Sequence, residues 1–225
     1  MKSFFKFTCI LLSAHIAVVF TGCANGYKQL SKFNYTYDGV TNNELPLKIE
    51  IARGAFSKSG NRRYDIRSNK SNTDMLAIKI TNTSNESITL PEDGFQAYMG
   101  GGRINELSPD ELKNVTKGAP GLFMIWSLLW VVIYSSSSDG ASSVIPIPVG
   151  AFIGLGNMLA AQSANNNLYV SYQLSRYKSM QLEPGGSVVF FHAYQGAGIR
   201  SSADLSFEIS DGGERLGYYS NQGKK

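Results

Sequence analysis

Apolar and polar residues alternate with a period of two in several short runs of this chain, the pattern of strands that bury one face. In LPLKIEIA, Leu45, Leu47, Ile49 and Ile51 fall on one face, with Lys48 and Glu50 on the other. In DMLAIKITN, Leu76, Ile78 and Ile80 alternate with Ala77 and Lys79, and the polar turn TNTSNES leads on to SITL and GFQAYM. The same period returns in MQLEPGGSVVFFHAYQ, where Pro184-Gly185-Gly186 joins two β-rich pieces, and in ADLSFEIS, with Leu205, Phe207 and Ile209 on one face. SKFNYTYDG, with Phe33, Tyr35 and Tyr37 alternating, predicts a short strand or an ordered tether, and the basic stretch SKSGNRRYDIRSNKSN reads as a solvated loop.

Between these β-rich regions the period changes. Ser108-Pro109-Asp110-Glu111 combines an N-cap, a proline at the first helical position and an acidic residue at the third, which predicts a helix running to about Lys117. From Gly118 to Ser175 the one charged residue is Asp139, in the loop SSSSDGASS. Two apolar segments, 120–134 and 144–161, flank that loop, and small residues recur at four-residue spacing in two series, Gly150 and Gly154, and Gly156, Ala160 and Ala164. The expectation is a helical hairpin whose second helix begins at about Pro148 to Gly150, because Pro146 and Pro148 keep the start of that segment extended, with LYVSYQLSRYKS continuing as helix. The fold class is therefore mainly β with an α insertion. It is an antiparallel sandwich over 42–107 and 178–219, interrupted by a helical insertion over 108–177 and closed by a polar tail over 220–225. In strand pattern alone it resembles an immunoglobulin-like domain; the Cys and Trp markers of that family are missing, since Trp126 and Trp130 both belong to the insertion.

The first residues change the picture. Met1 to Lys6 is basic, Phe7 to Phe20 is apolar, and Thr21-Gly22 precedes Cys23, the three zones of a secretory signal over 1–22. Phe20-Thr21-Gly22-Cys23 resembles the lipobox of bacterial lipoproteins, with Phe20 where Leu, Val or Ile is usual. That resemblance covers the leader and Cys23, and implies that Cys23 is acylated and becomes the mature N-terminus, followed by a tether over 23–41. Several acyl chains, at about 0.8 kcal/mol per buried methylene, make such an anchor effectively permanent. Ala24 stands where an aspartate would imply inner-membrane retention, so the resemblance implies the outer membrane, facing the periplasm. The other cysteine, Cys9, leaves with the leader.

Composition and motifs narrow the chemistry. The excess of 21 basic over 17 acidic residues falls to two once Lys2 and Lys6 leave with the leader, too little to argue for nucleic acid. His192 is the one histidine beyond the leader, and no HExxH, CxxC, carboxylate-rich loop or GxSxG accompanies it. A lone strand histidine reads as structural, and no catalytic, cofactor or metal residue is assigned. Gly100-Gly101-Gly102 lacks the Lys-Ser/Thr of a phosphate loop and reads as a turn, and GLGN at 154–157 lacks the strand context of a dinucleotide site. Arg62, Arg63, Arg67 and Lys70 form a basic loop able to touch anionic headgroups or an acidic partner.

A 15-residue helix spans about 22 Å, short of the ~30 Å hydrocarbon core. The leading expectation is thus a lipid-anchored envelope protein with a structural or binding role, its apolar hairpin packed on its own domain, a partner subunit of a homo-oligomer, or another envelope protein. Phe123, Trp126, Trp130, Gly150 and Gly154 are the candidate membrane or oligomer contacts. A second reading inserts the hairpin at 120–166 into the bilayer as part of a pore or assembly, and a third is an envelope enzyme of unrecognised type.

Overall fold

The computed structural model describes residues 26–30, 35–38, 44–118, 128, 130–136, 142–196, 199–200 and 204–221. They divide into two units, one comprising the described residues of Lys28–Lys117 and Asn167–Lys225, the other including those of Gly118–Asn166. In chain order the elements are β1 (Leu47–Ala52), α1 (Ala55–Lys58), α2 (Arg62–Lys70), β2 (Thr73–Asn82), β3 (Ile88–Leu90), β4 (Phe95–Met99), β5 (Gly102–Ile104), α3 (Pro109–Thr116), β6 (Val131–Ser136), β7 (Ser142–Ile147), α4 (Val149–Ser175), β8 (Met180–Leu182), β9 (Ser187–Gln195), β10 (Leu205–Asp211) and β11 (Glu214–Ser220).

The larger unit is mainly β. Seven strands form one curled sheet in the order β5-β4-β10-β11-β1-β2-β9, and β3 pairs with β8 separately. The predicted alternation sets the inner face: Leu47, Ile49 and Ile51 of β1, Leu76, Ile78 and Ile80 of β2, and Leu205, Phe207 and Ile209 of β10 all enter one hydrophobic core with Leu90, Phe190, Tyr194 and Tyr219. On the outer face Glu50 bridges Lys48 and Lys79.

The sheet is mixed, because β1 runs parallel to β11 while its other neighbour, β2, is antiparallel. This departs from the all-antiparallel sandwich that the strand pattern suggests. Gly217 is where the parallel pair closes up: a Cβ there would lie 3.0 Å from the Leu47 Cβ and 3.1 Å from its carbonyl oxygen. At the far end of the curl, edge strand β9 meets the chain just after edge strand β5. Glu106 bridges Tyr194, and the Leu107 amide donates to the Ala193 carbonyl at 2.8 Å, so the two edges touch.

The α3 expectation holds in detail. Ser108 caps the helix reciprocally with Glu111, each accepting from the other's backbone amide, with Pro109 at the first position. The basic stretch expected as a loop instead folds into α1 and α2, which bury Phe56 and Tyr64 in a stacked pair. Of SKFNYTYDG, the described part contributes a bridge from Asp38 to Ile51 rather than a strand.

The expected helical hairpin is corrected in the smaller unit. Val131–Ser136 is strand β6, paired antiparallel with β7 from Val131↔Ile147 to Ser136↔Ser142. Val131, Val132 and Ile133 are in register with Ile147, Pro146 and Ile145, and β-branched residue types of this kind favour a pleated backbone over a helix. Pro146 and Pro148 keep the chain extended, and the helix begins at Val149, immediately after the second proline. It then runs 27 residues without a charged side chain, through the segment LYVSYQLS, where the sequence also predicts helix. Gly150, Gly154, Asn157, Ala164, Asn165, Leu168 and Tyr172 form its buried stripe. Among the described residues, no helix is long and apolar enough to cross a membrane.

Candidate binding cleft at the closure of the curled sheet

Where β9 meets the chain after β5, the larger unit brings together Glu106, Tyr172, Arg176 and His192. β9 alternates Phe190, His192 and Tyr194 along one face, so the strand period that places Phe190 and Tyr194 in the core aims the imidazole the same way. Glu106 arrives from the chain between β5 and α3. Tyr172 and Arg176 arrive from the C-terminal end of α4 and just beyond it, four residues apart and hence on one helical face.

Glu106 is the hub. Arg176 donates to it in a forked pair, Nε to Oε1 at 2.7 Å and Nη2 to Oε2 at 3.0 Å, and the Tyr172 hydroxyl lies 2.6 Å from Oε1. The His192 Nδ1 is 3.2 Å from Oε2 but lacks the alignment of a full hydrogen bond. Burial alone would raise the Glu106 carboxyl; His192, Arg176 and Tyr172 outweigh it and hold it at about 2. The Tyr172 phenol moves the opposite way, pushed well above its ordinary value by burial and then by the Glu106 charge. Its oxygen also accepts the Ala193 amide at 2.9 Å and lies 3.0 Å from the Leu107 carbonyl. Four segments are thereby tied at one point: α4, the residues after it, β9, and the link from β5 to α3.

Beside this knot lies a cleft of about 360 Å³. Its aromatic wall is Phe95, Tyr177, His192 and Tyr194, with the His192 ring 4.9 Å from Phe95 and stacked at 6.0 Å on Tyr194. Tyr177 is fixed by donating to the Pro91 carbonyl at 2.8 Å. Glu92, Asp93, Gln96, Arg103 and Asn105 supply a polar lining. His192 is 2% exposed and its Nε2 has no hydrogen-bond partner among the described residues, an uncompensated buried polar atom at the wall of an open space. A recess of this size with ring faces and a few convergent polar groups can hold a small polar ligand.

A second polar cluster stabilises the far end of β2. Arg200 donates to Asp65 Oδ1 at 2.9 Å, to the Thr73 carbonyl at 3.1 Å and to the Ser68 hydroxyl, while Arg53 donates to the Ile199 carbonyl. Buried Asp74 lies within their field. Burial raises its carboxyl to about 6, against the opposing pull of Arg200 and Arg53.

Of the residues singled out from sequence, His192 is in β9 as expected and joins the cleft. Gly150 and Gly154 are buried along α4, and Trp130 is 57% exposed just before β6. Cys23, Phe123 and Trp126 lie outside the described residues. Gly100 and Gly101 turn β4 into β5 at positive φ, as a turn requires. Sequence reasoning did not find Glu106, Arg176 or Tyr172. The i,i+4 spacing of Tyr172 and Arg176 was a visible signal, but their carboxylate partner is 66 and 70 residues away. Among the described residues no three His, Cys, Asp or Glu groups converge as metal ligands. No protein-family model matches the chain, and no curated protein or solved structure matches it.

Proposed function

We propose that this chain is a lipid-anchored protein of the bacterial cell envelope, held in the outer membrane through acylated Cys23 and facing the periplasm, whose mainly β domain is a non-catalytic binding module. The anchoring part rests on the basic-apolar-small order of 1–22 ending at Cys23. The sandwich-like arrangement expected from the strand pattern enters here as the rigid body that presents the cleft.

The observation that carries the binding reading is the state of Glu106. A general acid or base works when its pKa lies near the operating pH. Glu106, held at about 2 and engaged by a forked arginine and a phenol, is a fixed anion that ties elements together. What the cleft then offers is recognition: ring faces, an unsatisfied imidazole nitrogen and a polar rim. Labelling of growing cells with radioactive palmitate tests the anchor. The wild-type chain should carry label and Cys23→Ser should carry none. An unlabelled wild-type chain would contradict the proposal.

A further inference from the structure

A short way after Cys23 the chain is fastened to the start of α2. Asn61, the residue before that helix, caps no amide of the helix with its side chain. It is buried, and its side chain instead accepts from the Lys28 amide at 2.8 Å and donates to the Lys28 carbonyl at 2.7 Å. The Lys28 side chain lies over the turn between α1 and α2, since a Cβ at Gly60 would be 3.3 Å from its Cδ and from its Nζ. An extended chain advances at most about 3.6 Å per residue, so an anchor at Cys23 keeps Lys28 within about 18 Å of itself.

From that point α2 turns a basic face outward. Tyr64 and Ser68 form its buried side. At about 100° per residue Ile66 points directly away from them, with Arg62 and Lys70 about 40° to either side and Arg63 about 60° away. Ile66 is 47% exposed. The one carboxylate of the helix, Asp65, lies on its flank and is paired with Arg200. Among the described residues no carboxylate pairs with Arg62, Arg63 or Lys70. Arg62 and Arg63 open the helix, where the aligned amides are already positive and disfavour cations. Water leaves this crowding of like charge in place, whereas an anionic surface relieves it.

We infer that the outward face of α2, with Lys28 beside it, rests on the anionic headgroups of the membrane that holds Cys23, with Ile66 at the centre of the contact. The inference builds on the lipid-anchored reading and adds to it the surface that meets the bilayer. Two features favour a bilayer over an acidic protein. The tether keeps this face close to the headgroups, and an exposed apolar side chain ringed by Lys and Arg is the pattern of helices that lie in a membrane interface. Each cation at an anionic surface contributes about a fivefold factor in binding, so Lys28, Arg62, Arg63 and Lys70 together contribute about 600-fold. That is weak for a free chain. For a tethered one, whose effective concentration at the surface is about millimolar, it fixes which side of the larger unit faces the membrane.

The test uses the full mature chain with Cys23→Ser, so that binding reads the face and not the acyl chains. Co-sedimentation with vesicles containing about one-third phosphatidylglycerol in phosphatidylcholine should show binding that is lost in pure phosphatidylcholine and at about 0.5 M salt. Lys70→Gln should weaken it about fivefold and Arg62→Gln with Lys70→Gln about 25-fold. Lys178→Gln should stay within about twofold of the parent: Lys178 is exposed just before β8, a strand tied to the Asn82 end of β2, whereas α2 precedes the Thr73 end. In the same Cys23→Ser chain Ile66→Cys supplies the one thiol, because Cys9 leaves with the leader. A polarity-sensitive dye on it should shift to the blue on the anionic vesicles, and the same dye on Lys178→Cys should not. Far-ultraviolet circular dichroism checks that each variant is folded. Equal binding to both kinds of vesicle, equal losses from Lys70→Gln and Lys178→Gln, or a dye at position 66 that does not shift would each overturn the inference and leave these cations to an acidic protein. Palmitate labelling reads the anchor separately: a labelled wild type whose Cys23→Ser form ignores anionic vesicles loses this inference alone, and an unlabelled wild type whose Cys23→Ser form binds them loses the anchor alone.

Discussion

Two carboxylates, half-buried Glu106 and buried Asp74, are pulled in opposite directions by their surroundings, and each makes a prediction. Glu106 is held at about 2, below the ordinary 4.5, by the groups around it. A folded-state pKa below the unfolded one contributes stability that is present above about pH 4.5 and lost as pH falls towards 2. The shift corresponds to about 3 kcal/mol. Glu106→Gln should therefore lower the unfolding free energy at pH 7 by about 2–4 kcal/mol, since Arg176 loses its counter-charge. The deficit should shrink as pH drops through that window, as read by urea titration at stepped pH. Asp74 has the reverse sign. Its carboxyl is raised by burial from 3.8 to about 6, so its protonated form favours the folded state below pH 3.8, and that advantage is lost as pH rises through 6. Asp74→Asn should stabilise the protein by about 2 kcal/mol at pH 7.5 and change little near pH 4. Equal stability of the two proteins at pH 7.5 would refute the assignment. Neither carboxylate was legible in the sequence, because each is defined by partners brought from distant segments rather than by a local motif.

The elements divide according to how much of their cause is local. β1, β2, β10 and α3 are readable because alternation and a capping box are properties of six to ten consecutive residues. The stretch of β6 passes for helix because an uncharged apolar run has no period of its own, whereas Pro146 and Pro148 mark the β7 stretch as extended. The decisive signal in β6 is its β-branched content, Val131-Val132-Ile133. β11 is not legible as a separate strand because Gly217 interrupts its alternation, and that glycine is explained only by its neighbour across the parallel pair, Leu47. The α1–α2 segment is polar enough to pass for a loop, and its helices are stabilised by burying Phe56 and Tyr64. Gly94 tests the packing at this scale. A Cβ there would lie 2.3 Å from the Pro91 ring and 2.5 Å from the Ser210 carbonyl oxygen, and the Ser210 amide donates to the Gly94 carbonyl at 3.1 Å. Gly94→Ala should cost about 1–3 kcal/mol by forcing the start of β4 away from β10. Thermal unfolding indistinguishable from wild type would show that the strands are not so closely packed.

For the molecule as a whole, the proposed function joins two separate parts, the leader and the cleft. In the proposed reading Cys23 supplies the membrane attachment, and the curled sheet supplies a recess lined by aromatic rings and fixed polar groups. The proposed address rests on the leader pattern alone; the cleft needed the fold, because its walls come from β4, β5, β9 and the residues after α4. The central claim is that acylation of Cys23, and not an apolar segment of the mature domain, keeps this protein at the membrane. The most direct measurement is fractionation of cells expressing the wild type and a Cys23→Ser chain carrying a cleavable secretory leader. The account predicts wild type in the outer-membrane fraction and Cys23→Ser in the soluble periplasmic fraction. A Cys23→Ser product that is exported, folded and still extracted from membranes only by detergent would contradict it.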